Sequence, residues 1–123
     1  MVHPTDQRFW AGARIRKRAE YLEIQSEGRR VRCGAFVGLV RVRPEGGPRI
    51  GITTSRKVGS AVARNRTRRR VREAFRRGMM NLPDGVDLVV VARRGAAEIS
   101  SAAAFDDLAG LGRSVRRLLG GGK

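Results

Sequence analysis

Residues Ala61 to Arg77 read AVARNRTRRRVREAFRR, and their spacing decides the fold. At about 100° per residue, Ala63, Thr67, Val71, Ala74 and Phe75 gather into one stripe. Asn65, Arg68, Arg69, Arg72 and Arg76 occupy most of the opposite side. The period predicts an amphipathic helix that packs one face on a sheet and presents guanidinium groups on the other. Ser60 is placed to cap its first turn, and Leu82-Pro83-Asp84-Gly85 follows as a break. On either side lie strand patterns: Arg49 to Thr54 (RIGITT) before the helix, and Val86 to Ala92 (VDLVVVA), a continuous apolar run of the buried type, after it.

Working outward, Ala35 to Arg43 (AFVGLVRVR) alternates as a strand. One face carries Phe36, Gly38, Val40 and Val42. The other carries Val37, Leu39, Arg41 and Arg43 and, turning basic, is predicted to look outward. Pro44 to Pro48 (PEGGP) is a turn by composition, so this strand and RIGITT should form a hairpin. Arg14 to Glu27 fits a short helix with Ile15, Ala19, Leu22 and Gln25 on one face and Gly28 just past its end. Ser100 or Ser101 caps a last helix whose Ala104, Leu108, Leu111, Val115 and Leu118 share a face. Gly110 and Gly112 weaken that helix by about 1 kcal/mol each relative to alanine. The expected architecture is α+β, a single-domain α-β sandwich of order α-β-β-α-β-α. Residues 1–13 read as a flexible arm, 14–119 as the domain and 120–123 as a tail.

With 123 residues, the chain has length for one domain. No apolar run approaches the roughly 20 residues that span a bilayer, and the N-terminus lacks an apolar core of the signal-peptide type. The single Cys33 excludes an internal disulfide and a multi-cysteine zinc site, and the one histidine is His3. These features predict a soluble, cytoplasmic protein. The eleven carboxylates are scattered, with no set able to hold two metals about 4 Å apart. Asp84 and Asp87 flank a turn and are assigned to local structure; Asp106 and Asp107 are assigned to a helix's first turn. No catalytic side chain and no metal ligand is therefore expected.

Charge points to the partner. Lys and Arg number 27 against 11 Asp and Glu, a net charge of +16, and all but Lys17, Lys57 and Lys123 are arginine. Guanidinium matches phosphate oxygens bidentately, and so large a self-repulsion is relieved by a bound polyanion. Arg56 to Arg77 alone hold ten cations and one acid, Glu73. Like charges at i,i+4, such as Arg64, Arg68, Arg72 and Arg76, cost a few tenths of a kcal/mol each in an isolated helix. Arg64 and Arg66 also stand at the helix's positive end, where cations are disfavoured. Local arrangements this unfavourable imply a nucleic acid. The helix suits a DNA major groove, but no leucine heptad follows to dimerise it. Structured RNA, recognised through shape and phosphates, suits a chain with few aromatics.

The run Ser55 to Phe75, SRKVGSAVARNRTRRRVREAF, closely resembles the signature of the bacterial ribonuclease P protein component, with Arg64-Asn65-Arg66 at its centre. Flanking pieces agree in order: Arg16-Lys17-Arg18-Ala19-Glu20-Tyr21, Gly28-Arg29-Arg30, Phe36-Val37, Arg49-Ile50-Gly51 and Asp87 to Arg93. The resemblance implies a protein that helps a catalytic RNA remove the 5′ leader from precursor tRNA. The RNA subunit and Mg2+ of the holoenzyme then perform the hydrolysis, with no cofactor on the protein alone. It implies RNA contacts at Arg56, Lys57, Arg64, Asn65, Arg66, Arg68, Arg69 and Arg72. It also implies a leader cleft between first helix and sheet at Tyr21, Gln25, Val37 and Leu39, where only Tyr21 keeps the aromatic character common in the family. The implied fold is ribosomal-protein-S5-domain-2-like, with a left-handed β-α-β crossover. The implied partners are the ribonuclease P RNA and precursor tRNA, with neither membrane nor obligate protein partner. A ribosomal or translation-associated RNA-binding protein is the alternative reading; a self-sufficient nuclease and a DNA-binding regulator are more distant ones.

Overall fold

A computed structural model describes residues 13–15 and 17–120. Helix α1 (Arg18–Glu27) leads straight into strand β1 (Arg29–Cys33), then β2 (Phe36–Val42) and β3 (Arg49–Thr53). A 3-10 turn (Arg56–Val58) precedes α2 (Ala61–Arg76), which is followed by β4 (Val86–Ala92) and α3 (Ser101–Leu119). The strands form one sheet in the order β1-β2-β4-β3, antiparallel except for the β3–β4 pair, which is parallel and joined through α2. The α+β class stands, with one strand more than the spacing predicts. β1 escapes notice because RRVRC places its three arginines at exposed or edge positions and turns only Val31 and Cys33 partly inward. Pairing with β2, not apolar alternation, makes it a strand. The hairpin expected of β2 and β3 does not form, because β4 lies between them and pairs with both.

One sheet face carries Phe36, Val40, Ile50, Leu88 and Val90 into the main core with Val71, Ala74 and Phe75 of α2 and Ala104, Leu108, Leu111 and Val115 of α3. The apolar stripes read from both helices are therefore the buried ones. Thr67, the polar member of the α2 stripe, is fully buried and donates its hydroxyl to the Ala63 carbonyl at 2.9 Å. The other face holds a smaller cluster of Ile15, Ile24 and Val89 flanked by Tyr21, Leu39 and Val91. It is not the open surface expected of Val37 and Leu39: Val37 is buried and Leu39 half-buried. Of the arm assigned to residues 1–13 only Ala13 lies among those described, and it is buried in the main core. Residues 121–123 of the tail also lie outside them.

The face predicted for α1 needs correction. Ile15 is buried, but it precedes the helix and donates its N–H to the Ile50 carbonyl at 2.9 Å, beside the bridge that pairs Arg14 with Ile50. Ala19, Leu22 and Gln25 are exposed. Within α1 only Ile24 is buried. Gly28 caps the helix in an extended conformation; a Cβ there would overlap the Ile24 carbonyl, so close approach, not a left-handed turn, requires glycine. Asp106 and Asp107 lie beyond the first turn of α3, whose cap is Ser100; Asp107 Oδ2 instead accepts the Ala35 N–H at 3.1 Å.

Gly112 reverses an expectation drawn from helix propensity. It faces the segment after α2, and a Cβ built there would overlap backbone atoms of Met80. Gly112→Ala should therefore destabilise the fold by about 1–3 kcal/mol through overpacking, outweighing a propensity gain of about 1 kcal/mol. Thermal unfolding of the variant checks this; a raised midpoint would contradict it.

Candidate nucleic-acid interface

The basic segment begins at the turn before α2. Ser55 Oγ accepts the Lys57 N–H at 3.3 Å, Gly59 adopts φ 141°, and Ser60 Oγ accepts the Ala63 N–H at 3.2 Å. This capping leaves Arg56 and Lys57 exposed on the approach to the helix. Along α2, Asn65, Arg66, Arg68, Arg69 and Arg72 are exposed and Arg64 is half-buried. Arg56, Lys57, Arg64, Arg68 and Arg69 make no ion pair or side-chain hydrogen bond with any described residue. Arg66 differs: one of its Nη groups donates to the Ala97 carbonyl at 3.3 Å, and Arg70 donates likewise to Ile99 at 2.8 Å, fastening α2 to the segment before α3. The single acid, Glu73, is spent at the far end. It accepts from Arg76, and from Arg77 Nε at 2.9 Å. The hydrogen bond from Arg76, assisted by Arg77, holds the Glu73 carboxyl down at about 2. Glu73 thus offsets one of the two charges of Arg76 and Arg77, while no acid lies in the first three turns.

The two halves of the predicted site meet at the β3 edge. Arg68 and Arg72 of α2 line a cavity of about 310 Å³ together with Arg14, Ile15, Tyr21, Ile50 and Ile52. Tyr21 is fixed there by accepting the Ile52 N–H on its hydroxyl at 3.2 Å. Its ring also borders a second depression, lined by Arg18, Leu22, Gln25 and Thr53. Leu39 packs in the same small cluster as Tyr21. Val37 lies farther along β2 on that face, outside the cluster. Arg14, Arg18, Ile52 and Thr53 were not expected at the site. Arg14 reaches it because residues preceding α1 pair with β3, which no helical period could signal.

Besides the small apolar cluster around Ile24, ion pairs hold α1 against the sheet. Asp87 on β4 is fully buried and accepts from Arg49 at 2.9 Å, Arg41 Nη2 at 2.8 Å and Arg43 Nε at 2.6 Å. Burial alone would raise its carboxyl, but hydrogen bonds from Arg49, Arg41 and Arg43 prevail and hold it below the ordinary range. Two of these arginines continue to α1: Arg49 to Glu20 at 2.6 Å and Arg41 to Glu23 at 2.5 Å. The local role read for Asp87 is thus larger than a turn contact.

Among the described residues no three of His, Cys, Asp and Glu gather where they could hold a metal ion. Nor is any described helix long and apolar enough to cross a membrane.

The model of the Ribonuclease P family matches residues 9–116. The Ribonuclease P protein component of Gluconacetobacter diazotrophicus is 46% identical over 97 residues, 77% of this chain and 84% of that protein. The solved RNase P protein of Thermotoga maritima superposes with a TM-score of 0.73 at 35% identity, covering 81% of this chain and 96% of that one. The Staphylococcus aureus RNase P protein superposes with a TM-score of 0.72 at 29% identity, covering 80% and 91%. With its central arginine motif, its four-stranded sheet and these likenesses together, the chain belongs to the Ribonuclease P protein family, the protein components of the tRNA-processing ribonuclease P.

Proposed function

We propose that this chain binds the catalytic RNA of ribonuclease P through the guanidinium face of α2, and holds the 5′ leader of precursor tRNA in the cleft between α1 and the sheet. The observation that carries this reading is the cavity at the β3 edge, where Arg68 and Arg72 face Tyr21 across one opening. Phosphates of a folded RNA meet the uncompensated cations Arg56, Lys57, Arg64, Arg68 and Arg69, with Asn65, Arg66 and Arg72 beside them. Tyr21 offers the cleft one aromatic face for a base, worth about 1–3 kcal/mol when stacked. Val37 and Leu39 supply an aliphatic floor. Phosphodiester hydrolysis belongs to the RNA subunit and its magnesium. The protein lowers the phosphate repulsion between that RNA and its substrate, and its grip on the leader favours precursor over product.

Adding the protein to the RNA subunit at low magnesium should restore removal of the 5′ leader, and gel analysis of the products reads this directly. If about 6–10 phosphates are neutralised, affinity for the RNA subunit should fall by about 10³–10⁵ between 50 and 200 mM salt. An affinity indifferent to salt, or no restored processing, would sink the proposal.

A further inference from the structure

The sheet has two edges, and only one of them lies beside α2. The other edge is β1, RRVRC. Val31 and Cys33 turn toward the main core. The register sets Arg30 opposite Leu39 and Arg32 opposite Val37. Directly opposed residues share a sheet face, so both arginines stand on the α1 side, bordering the aliphatic floor. Both are exposed, and neither makes an ion pair or side-chain hydrogen bond with a described residue. At the same end of the sheet Arg93 donates its N–H to the Ala35 carbonyl at 2.9 Å, bringing a further cation to the β1–β2 turn. The acids of α1 that face the sheet are already engaged: Glu20 with Arg49 and Glu23 with Arg41. Asp107, the carboxylate at the β1–β2 turn, is taken by the Ala35 N–H.

Charge on an edge strand guards against pairing with other chains. Two arginines two residues apart on one face also concentrate positive potential there, which a bound anion would offset. Three strand spacings of about 4.8 Å separate β1 from β3, so cations flank the sheet's α1 face on both sides at roughly 14 Å. The register carries one row across this side from Thr53, in the depression beside α1, through Val91 and Val37 to Arg32, and a polyanion strand following that row past α1 would meet guanidinium at each border. Folded duplex RNA is too broad to follow such a floor; an extended single strand is not.

We infer that Arg30 and Arg32 form a phosphate-binding rail for single-stranded RNA, so that a leader entering beside α2 crosses the sheet and leaves over the β1 edge. This rests on the cleft reading above, and it assigns to the β1 edge the more distal part of a long leader.

The test uses holoenzyme reconstituted with the wild-type protein, with Arg30→Gln/Arg32→Gln, with Arg30→Lys/Arg32→Lys and with Tyr21→Ala. Affinities are measured across a salt series for a long-leader precursor, a short-leader precursor and mature tRNA. Losing two single-strand phosphate contacts should make the log–log salt slope for the long-leader precursor shallower by about 1.4, or about sevenfold in affinity across a fourfold change in salt. The short-leader precursor, mature tRNA and RNA-subunit binding should be unchanged, and the lysine pair should retain the wild-type slope. An unchanged long-leader slope overturns the rail. So does a loss shared by mature tRNA, or self-association of the glutamine variant with no change in slope, the signature of a merely guarded edge. If Tyr21→Ala leaves leader affinity intact while the glutamine pair reduces it, stacking on Tyr21 fails and the β1-edge phosphate contacts stand. The converse pattern removes the rail alone.

Discussion

Arg64→Ala combined with Arg66→Ala is expected to weaken binding of the RNA subunit by roughly 10²- to 10⁴-fold with the fold intact. A charge-assisted hydrogen bond to phosphate contributes about 1.5–3 kcal/mol, and two such losses give that range at about 1.4 kcal/mol per decade. The fold should survive because neither side chain belongs to the buried stripe of α2, which is Thr67, Val71, Ala74 and Phe75. Arg64 has no internal partner among the described residues, and Arg66 gives up one part-buried hydrogen bond to the Ala97 carbonyl. The change in stability should stay within about 1 kcal/mol. Filter binding at fixed salt, with circular dichroism melting alongside, separates the two effects. Wild-type affinity in the double variant would remove α2 from the RNA interface.

The second large effect is on stability. Asp87→Asn should cost about 3–5 kcal/mol, the usual loss when one partner of a buried ionic cluster is removed. The remaining Arg41, Arg43 and Arg49 then crowd around a neutral amide, with only Glu20 and Glu23 left to balance them. The pH dependence follows from the sign of the shift. The Asp87 carboxyl is held below its ordinary value of 3.8 in the folded chain. Its contribution is therefore complete above that value and is lost as pH falls through the lower, folded one. Melting curves of wild type and variant should differ by a constant amount near neutrality and converge only below about pH 4. Equal stability at pH 7 would show that the arginines find other partners.

How far the sequence could be read depended on which force held each element. α2 and α3 bury apolar stripes against one core, legible from Val71, Phe75, Leu108 and Leu111, and β4 was legible as an apolar run buried on both faces. The turn at Pro44 to Pro48 and the cap at Ser60 were equally plain, because each is a local device. The buried face of α1 was not legible from apolar spacing because only Ile24 of the helix is buried, and Glu20 and Glu23 add ion pairs to arginines 18 to 29 positions away. β1 was missed because an edge strand needs only a partner. The motif Arg64-Asn65-Arg66 directed attention to α2, whose residues at the cavity are Arg68 and Arg72. The contributions of Arg14 and Ile52 arise from tertiary pairing, and nothing in one chain's spacing announces them.

The position of Glu73 has a consequence for how an RNA arrives. With that lone acid tied to Arg76 and Arg77, the charge on α2 is uneven along its length, most positive from Arg64 to Arg72 and partly offset at its close. Such a gradient exerts a torque on an approaching polyanion before any atom touches. The protein should therefore meet its RNA already aligned, leading end foremost, and most productive encounters should need little rotational search.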